Sequence, residues 1–190
     1  METLRIAYDS REQKPVHDLE GREVAKGVFV EYQEAALSVF DYALMADLTP
    51  TGGKLMTPGW AIERKGLSDL VGSLFSPDNY KRERAKIARA QSLWGSSGLG
   101  NIYVVEGDLE AISKYDFRRF PSGKITPKVL ISKINQMRYR YNVQFILCAS
   151  RRQAEYTIVS LLRQHSKSVQ FKNAMKAKIQ QTKEKYERCK

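Results

Sequence analysis

The stretch from Trp60 to Arg64 reads as a strand, and the charges that close it, Glu63-Arg64-Lys65, constrain the fold more than any other feature. Side chains alternate across a strand, so Glu63 and Lys65 project to one face and Arg64 to the other. Charges at strand ends are costly if buried unpaired, so the fold has to supply either a metal ion or a tight ion-pair network. One carboxylate and one ammonium on the same face can serve a metal and a water together. Arg64 then needs a partner of its own, such as Asp69 in the next element or a phosphate. An isolated Glu-x-Lys on a strand is better explained as a solvated cross-strand salt bridge. This one is not isolated, because Asp9 and Glu12 end an earlier apolar stretch and Asp41-Tyr42 interrupts another. Carboxylates hold hard cations through oxygen, and a lysine can orient a water or neutralise phosphate charge, so the pattern points to metal-assisted phosphodiester hydrolysis.

Around these residues the order is mixed α/β. Leu4 to Tyr8 reads as a strand ending at Asp9, followed by a loop with a short helical turn over residues 17–26. Val28 to Tyr32 and Ala36 to Met45 alternate enough for two strands or one bent strand. Asp47 to Gly59, with Thr-Pro, Gly-Gly and Pro-Gly, reads as a hairpin connection. A short helix over Leu67 to Leu74 carries Asp69 in its first turn. Tyr80 to Trp94 places Tyr80, Ile87, Ala90 and Trp94 on one helical face. Gly95 to Gly100 ends that helix, and Asn101 to Glu106 is a buried strand. Thr126-Pro127 supplies an N-cap and a first-turn proline for a helix with the stripe Leu130, Ile134, Met137 and Tyr141. Val143 to Cys148 is the last strand, and Ser150 with Gln153 forms a capping-box pattern for a helix bearing Ala154, Ile158 and Leu161. From Lys167 the tail carries eight Lys/Arg and two Glu, with a thin stripe of Phe171, Met175 and Ile179. The expected division is therefore a body over residues 1–166 and a basic tail over 167–190, helical or partly disordered.

Thirty-two Lys+Arg against 21 Asp+Glu give a formal charge of +11, which favours a polyanionic partner and salt-dependent binding. No segment is both strongly amphipathic and rich in aromatic anchors, so no membrane partner is expected. Two cysteines, Cys148 and Cys189, suggest neither a disulfide framework nor a zinc knuckle. The N-terminus lacks the apolar core of a signal peptide, and no run of eighteen apolar residues occurs. The expected location is cytoplasmic, nucleoid-associated or, for a phage-encoded protein, the host cytoplasm. Gly52-Gly53-Lys54 falls short of a phosphate-loop pattern, so no nucleotide cofactor is expected. His17 and His165 read as surface or satisfied histidines, and no nucleophilic triad is assembled.

Three segments carry a more specific likeness. Asp9-Ser10-Arg11-Glu12, Asp41-Tyr42-Ala43-Leu44 and the run Ile62-Glu63-Arg64-Lys65-Gly66-Leu67-Ser68-Asp69-Leu70-Val71-Gly72-Ser73-Leu74 resemble the XPF-type (ERCC-four) nuclease domain family. Val104-Val105-Glu106-Gly107 fits that family's later apolar strand ending in Glu, and residues 145–162 resemble its closing strand and helix. The likeness covers about residues 4 to 164. It implies a restriction-endonuclease-like core, a mixed central sheet flanked by helices, that cuts branched, flapped or forked DNA, with roles in DNA repair or recombination. It further implies Mg²⁺ or Mn²⁺ held by Asp41, Glu63 and the carbonyl of Arg64. Lys65 would stand beside the attacking water, with Asp9, Glu12 and Asp69 completing an acidic rim. Family members act as dimers, which makes a homodimer the expected state.

Two departures stand out. Phe40 occupies the position of the usual Gly before Asp-Tyr, and Phe75-Ser76-Pro77-Asp78-Asn79-Tyr80 replaces the usual Gly-Arg-x-x-x-Gln stretch near the DNA. No tandem helix-hairpin-helix module follows residue 164, so a stand-alone form, as in a bacterium or phage, is expected. Arg11 and the basic helix residues Lys81, Arg82, Arg84, Lys86 and Arg89 are the expected DNA contacts, against the plainer reading of a solvated face. Arg118-Arg119 and Lys124 form a loop patch. The reading from a different class is a non-cleaving DNA-binding module whose acid and base cluster is purely structural.

Overall fold

The computed structural model describes residues 1–51, 54–94, 101–119 and 124–188. Among the described residues nine strands form one mixed sheet: β1 (Glu2–Asp9), β2 (Glu23–Ala25), β3 (Val28–Leu37), β4 (Tyr42–Leu44), β5 (Leu48–Pro50), β6 (Leu55–Pro58), β7 (Ala61–Gly66), β8 (Asn101–Glu106) and β9 (Val143–Cys148). Their spatial order is β5-β6-β3-β1-β4-β7-β8-β9, with β2 paired to β3. Five α-helices among the described residues cover the sheet: α1 (Leu67–Phe75), α2 (Pro77–Trp94), α3 (Leu109–Lys114), α4 (Pro127–Tyr141) and α5 (Arg151–Arg188). The α/β class expected from the sequence is the one observed.

Alternation along the strands divides the core into two layers. Ala7, Ala43, Ala61, Tyr103 and Val105 face Leu70, Val71 and Leu74 of α1, Ile87 and Ala90 of α2, and Leu130, Ile134 and Met137 of α4. Ile6, Tyr42, Leu44, Ile62, Ile102 and Val104 face Ala154, Ile158, Val159 and Leu162 of α5. Residues 101–105 of β8 are buried on both faces, as a near-continuous apolar run between two helical layers requires. Each large aliphatic side chain removed from water in these layers contributes about 1.5–3 kcal/mol.

Several boundaries differ from the sequence reading. The expected two or one bent strands over 28–45 are β3 and β4, separated where Phe40 adopts φ +61°. The 47–59 connection contains strands β5 and β6, which pair antiparallel as a hairpin. Gly52 and Gly53 lie outside the described residues. The segment 17–26 turns tightly through Glu20 N–H to His17 O at 3.1 Å and Arg22 N–H to Leu19 O at 3.0 Å and then adds the unexpected short strand β2, and α3 has too few residues to show a helical period in the sequence. Leu162, not Leu161, is the leucine fully buried with Ala154 and Ile158 on α5, and Leu161 packs partly buried against them. The division expected at residue 166 falls inside α5, whose backbone continues to Arg188. Met175 is exposed, while the side chains of Phe171 and Ile179, the helix end at Gly95–Gly100, and Cys189 lie outside the described residues.

Capping accounts for the two helix starts foreseen. Thr126 accepts from the Val129 N–H at 3.3 Å, and Ser150 accepts from the Gln153 N–H at 3.1 Å. Gln153 reaches back to the Ala149 N–H at 2.6 Å, one residue earlier than the ideal box. Gly107, at φ +152°, follows β8 where a Cβ would lie 2.9 Å from Leu67 Cβ, so only glycine lets α1 begin against this strand end. Among the described residues no helix is long and apolar enough to cross a membrane.

Candidate active site

Strand register assembles the acids. Tyr8 of β1 pairs with Tyr42 of β4, and Tyr42 pairs with Ile62 of β7. One residue further along each strand the next row reads Asp9, Asp41, Glu63, and then Tyr103 of β8 opposite Glu63. Backbone bonds extend the pairing into this row, from Asp9 N–H to Asp41 O at 2.8 Å and from Asp41 N–H to Ile62 O at 3.0 Å. Adjacent strands lie about 4.8 Å apart, and a row shares one face, so the three carboxylates lie on the α1–α2 side of the sheet.

Each acid has a different environment. Asp9 is buried, and both its oxygens are taken by Arg11, through Nε at 2.9 Å and Nη2 at 2.5 Å. Its bond to Asp9, and then the field of Asp9, Asp41 and Glu63, keeps Arg11 firmly charged against the cost of burial. Asp41 Oδ2 accepts the Arg64 N–H at 2.8 Å, replacing the ladder bond that β4 no longer supplies. Burial, and then the proximity of Glu63, pushes the Asp41 carboxyl well above the ordinary carboxylate range. Glu63 is buried; its Oε1 accepts from Lys65 at 3.0 Å and Lys86 at 2.6 Å. Burial works to raise the Glu63 carboxyl, but the two ammoniums outweigh it and hold it below its usual value. Glu63 Oε2 is buried without a hydrogen-bond partner among the described residues.

Lys65 lies on the face of Glu63, as strand alternation requires. It is pinned between Glu63 and Glu83, the latter at 3.3 Å, and stands 5.9 Å over the Tyr103 ring. Burial opposes its charge, and the fields of Glu63 and Glu83 overcome that and raise its pKa. Tyr103 donates its hydroxyl to Glu83 Oε1 at 2.5 Å. Tyr103 and Glu83 were not foreseen as part of the cluster. The stripe Tyr80, Ile87, Ala90, Trp94 leaves a gap at 83 that carries a charge on the core face, which was the available signal.

Arg64 points to the opposite face, and its partner is not Asp69. Its guanidinium bonds Glu106 at 2.5 Å and Glu12 at 2.9 Å, with the Lys14 carbonyl at 3.0 Å. Glu12 lines the cleft while its Oε1 accepts from Arg64 and from the Lys14 N–H at 3.0 Å. Asp69 is exposed at the cleft edge, in the first turn of α1. The cleft itself, of about 520 Å³, is lined by Asp9, Arg11, Glu12, Asp41, Asp69 and Lys86 among others. An adjoining hollow of about 410 Å³ shares Asp69 and Lys86 and adds Ser68, Asn79, Arg82 and Glu83.

The basic helix divides accordingly. Lys86 is not on a solvated face but enters the acid cluster, because i−3 places Glu83 beside it on the sheet side of α2. Arg84 stacks near Tyr80 and Tyr141 at 5.9 and 5.6 Å, toward α4. Arg82 lines the second hollow, and Lys81 and Arg89 are exposed. Arg118 pairs with Asp116 at 2.8 Å, while the Arg119 side chain lies outside the described residues. His165 Nε2 meets Asp47 at 2.7 Å while its Nδ1 is buried without a hydrogen-bond partner among the described residues, and exposed His17 lies beside the rings of Tyr8 and Tyr32.

The donor set fits a divalent cation. Among the described residues no three His, Cys, Asp or Glu side chains gather closely enough to hold a metal alone. Asp41 and Glu63 nevertheless sit side by side, and the unpartnered Glu63 Oε2 is an oxygen of the type hard cations take. A strand residue's N–H and C=O point to the same edge, so the Arg64 carbonyl faces the side where Asp41 lies.

Phe40 fills the departure from the usual Gly. Its ring is buried edge-on to Trp94 at 5.4 Å and Tyr103 at 5.6 Å, so packing offsets the left-handed backbone.

Residues 8–161 match the sequence profile of the ERCC4 domain. Among solved structures, XPF from Aeropyrum pernix aligns with TM-score 0.54 and 21% identity, covering 85% of this chain and 61% of that one. XPF from Aeropyrum pernix in complex with DNA aligns with TM-score 0.55 and 22% identity, covering 87% of this chain and 66% of that one. The chain thus spans less than two thirds of these relatives. Their likeness gives it a restriction-endonuclease-like α/β fold. No curated protein matches the chain.

Proposed function

The chain belongs to the ERCC4 domain family of nucleases, and on that premise we propose that it is a Mg²⁺- or Mn²⁺-dependent endonuclease of branched, flapped or forked DNA, working as a homodimer. The observation that carries this reading is the row Asp9, Asp41, Glu63 across three strands, with a buried oxygen of Glu63 left unpartnered. Asp41, Glu63 and the Arg64 carbonyl would hold the cation, which when bound supplies charge stabilisation at the phosphate and an activated water.

The chain's own residues do the rest. Lys65, fixed by Glu63 and Glu83, keeps the buried carboxylate ionised and sets a positive charge behind the lining of the cleft. Arg11 holds Asp9 while its exposed guanidinium borders the cleft, where it can meet a phosphate. Arg64 joins the ends of β7 and β8 to the loop after β1, so the acid row cannot splay.

A second reading, a non-cleaving DNA-binding module, has one observation in its favour: Glu63 and Glu83 are already matched by two ammoniums. Incubation with labelled fork, flap and duplex DNA in Mg²⁺, Mn²⁺ or chelator separates the two. Cutting that disappears with chelator, in Glu63→Ala and in Lys65→Ala, while binding survives, supports the enzyme. Binding without cutting in either metal supports the module.

A further inference from the structure

Two ammoniums share one oxygen of Glu63, and their surroundings differ. Lys65 is 11% exposed, is held a second time by Glu83 at 3.3 Å, and lines neither the cleft nor the adjoining hollow. Lys86 is 34% exposed, touches Glu83 only at 3.7 Å, and lines both. Only Lys86 can therefore leave Glu63 without entering the core. A cation seated beside Glu63 and Asp41 repels both ammoniums, and the one with a way out gives way. Its four-carbon stem, rooted on α2, delivers the ammonium into the space where a DNA phosphate would lie.

We infer that Lys86 exchanges partners, pairing with Glu63 in the metal-free protein and with a DNA phosphate once a divalent cation occupies the Glu63–Asp41 side. The inference rests on the nuclease reading and deepens it. Lys86 becomes the residue through which metal and DNA binding reinforce each other, and that coupling is reciprocal. A lysine with a fixed phosphate contact contributes equally with and without metal. A merely structural lysine contributes to DNA affinity in neither condition.

The test measures fork-DNA affinity in chelator and in saturating Ca²⁺, with the DNA checked to be intact, and Ca²⁺ affinity of the free protein by calorimetry. Wild type should bind the fork about tenfold tighter with Ca²⁺, a coupling of ordinary size. Lys86→Met and Lys86→Gln, each matched to wild type by melting, should bind like wild type in chelator within about twofold and lose most of the Ca²⁺ gain. Both should also bind Ca²⁺ itself more tightly, because the competing ammonium is gone, and Lys86→Arg should retain part of the coupling. An equal loss of DNA affinity in both conditions, or no loss in either, overturns the exchange while leaving the nuclease reading intact. Failure of wild type to bind Ca²⁺ at all removes the metal reading and the exchange with it.

Discussion

Tyr103 donates its hydroxyl to Glu83 Oε1 at 2.5 Å, tying strand β8 to α2 beside the pair formed by Glu63 and Lys65. Burial, and then the charge of Glu83, pushes the Tyr103 hydroxyl pKa well up, so it remains a donor throughout the accessible pH range. Tyr103→Phe keeps the ring contacts with Phe40 and Phe145 but leaves a buried carboxylate oxygen with one donor fewer. We expect a loss of about 1–2 kcal/mol in urea unfolding, with m unchanged.

Asp41 and Glu63 oppose each other in their pH dependence. The Asp41 pKa is raised in the fold, so its ionisation costs stability as pH climbs from the ordinary value of 3.8 through the folded-state value. Glu63 is lowered, so it contributes stability above its ordinary 4.5 that is lost as pH falls through the folded-state value. Asp41→Asn retains an acceptor for the Arg64 N–H. In chelator at neutral pH it should melt above wild type, with the gap closing below the ordinary carboxylate range. Added Ca²⁺ should raise the melting temperature of wild type and not of the variant, and DNA cutting should fall by orders of magnitude. A variant that melts below wild type in chelator contradicts the placement of Asp41 beside Glu63.

Arg64 is half-buried between two acids, and removing it leaves both without their cationic partner. Arg64→Ala should cost about 3 kcal/mol, and the double variant Arg64→Ala with Glu106→Gln should recover part of that. Chemical denaturation of the four proteins gives the coupling directly. Additive losses would mean that the Arg64–Glu106 contact contributes nothing net.

Phe40 combines a strained backbone with a well-packed ring. Phe40→Ala should cost about 3–4 kcal/mol through the cavity beside Trp94 and Tyr103. Phe40→Gly should be more stable than the alanine variant by about 1 kcal/mol, the reverse of the usual order, because glycine alone is relaxed at φ +61°. Equal melting of the two would show that the backbone there relaxes.

Local rules carried the sequence reading a long way. The apolar run of β8, the Thr126-Pro127 start, the Ser150 and Gln153 cap, and the split of Glu63 and Lys65 from Arg64 all follow from spacings of a few residues. The acids of the row were legible because Asp9 and Glu63 lie at the ends of apolar stretches and Asp41 interrupts another. Pairing was not. Arg64 finds Glu12 and Glu106, 52 and 42 residues away, instead of Asp69 five residues on, and Lys86 crosses 23 residues to reach Glu63. The sequence by itself determined which charges share a face of each strand, since alternation is a property of the local backbone. Only the tertiary structure decided which opposite charge satisfies each of them, because that depends on strand order, register and the path of α2 across the sheet.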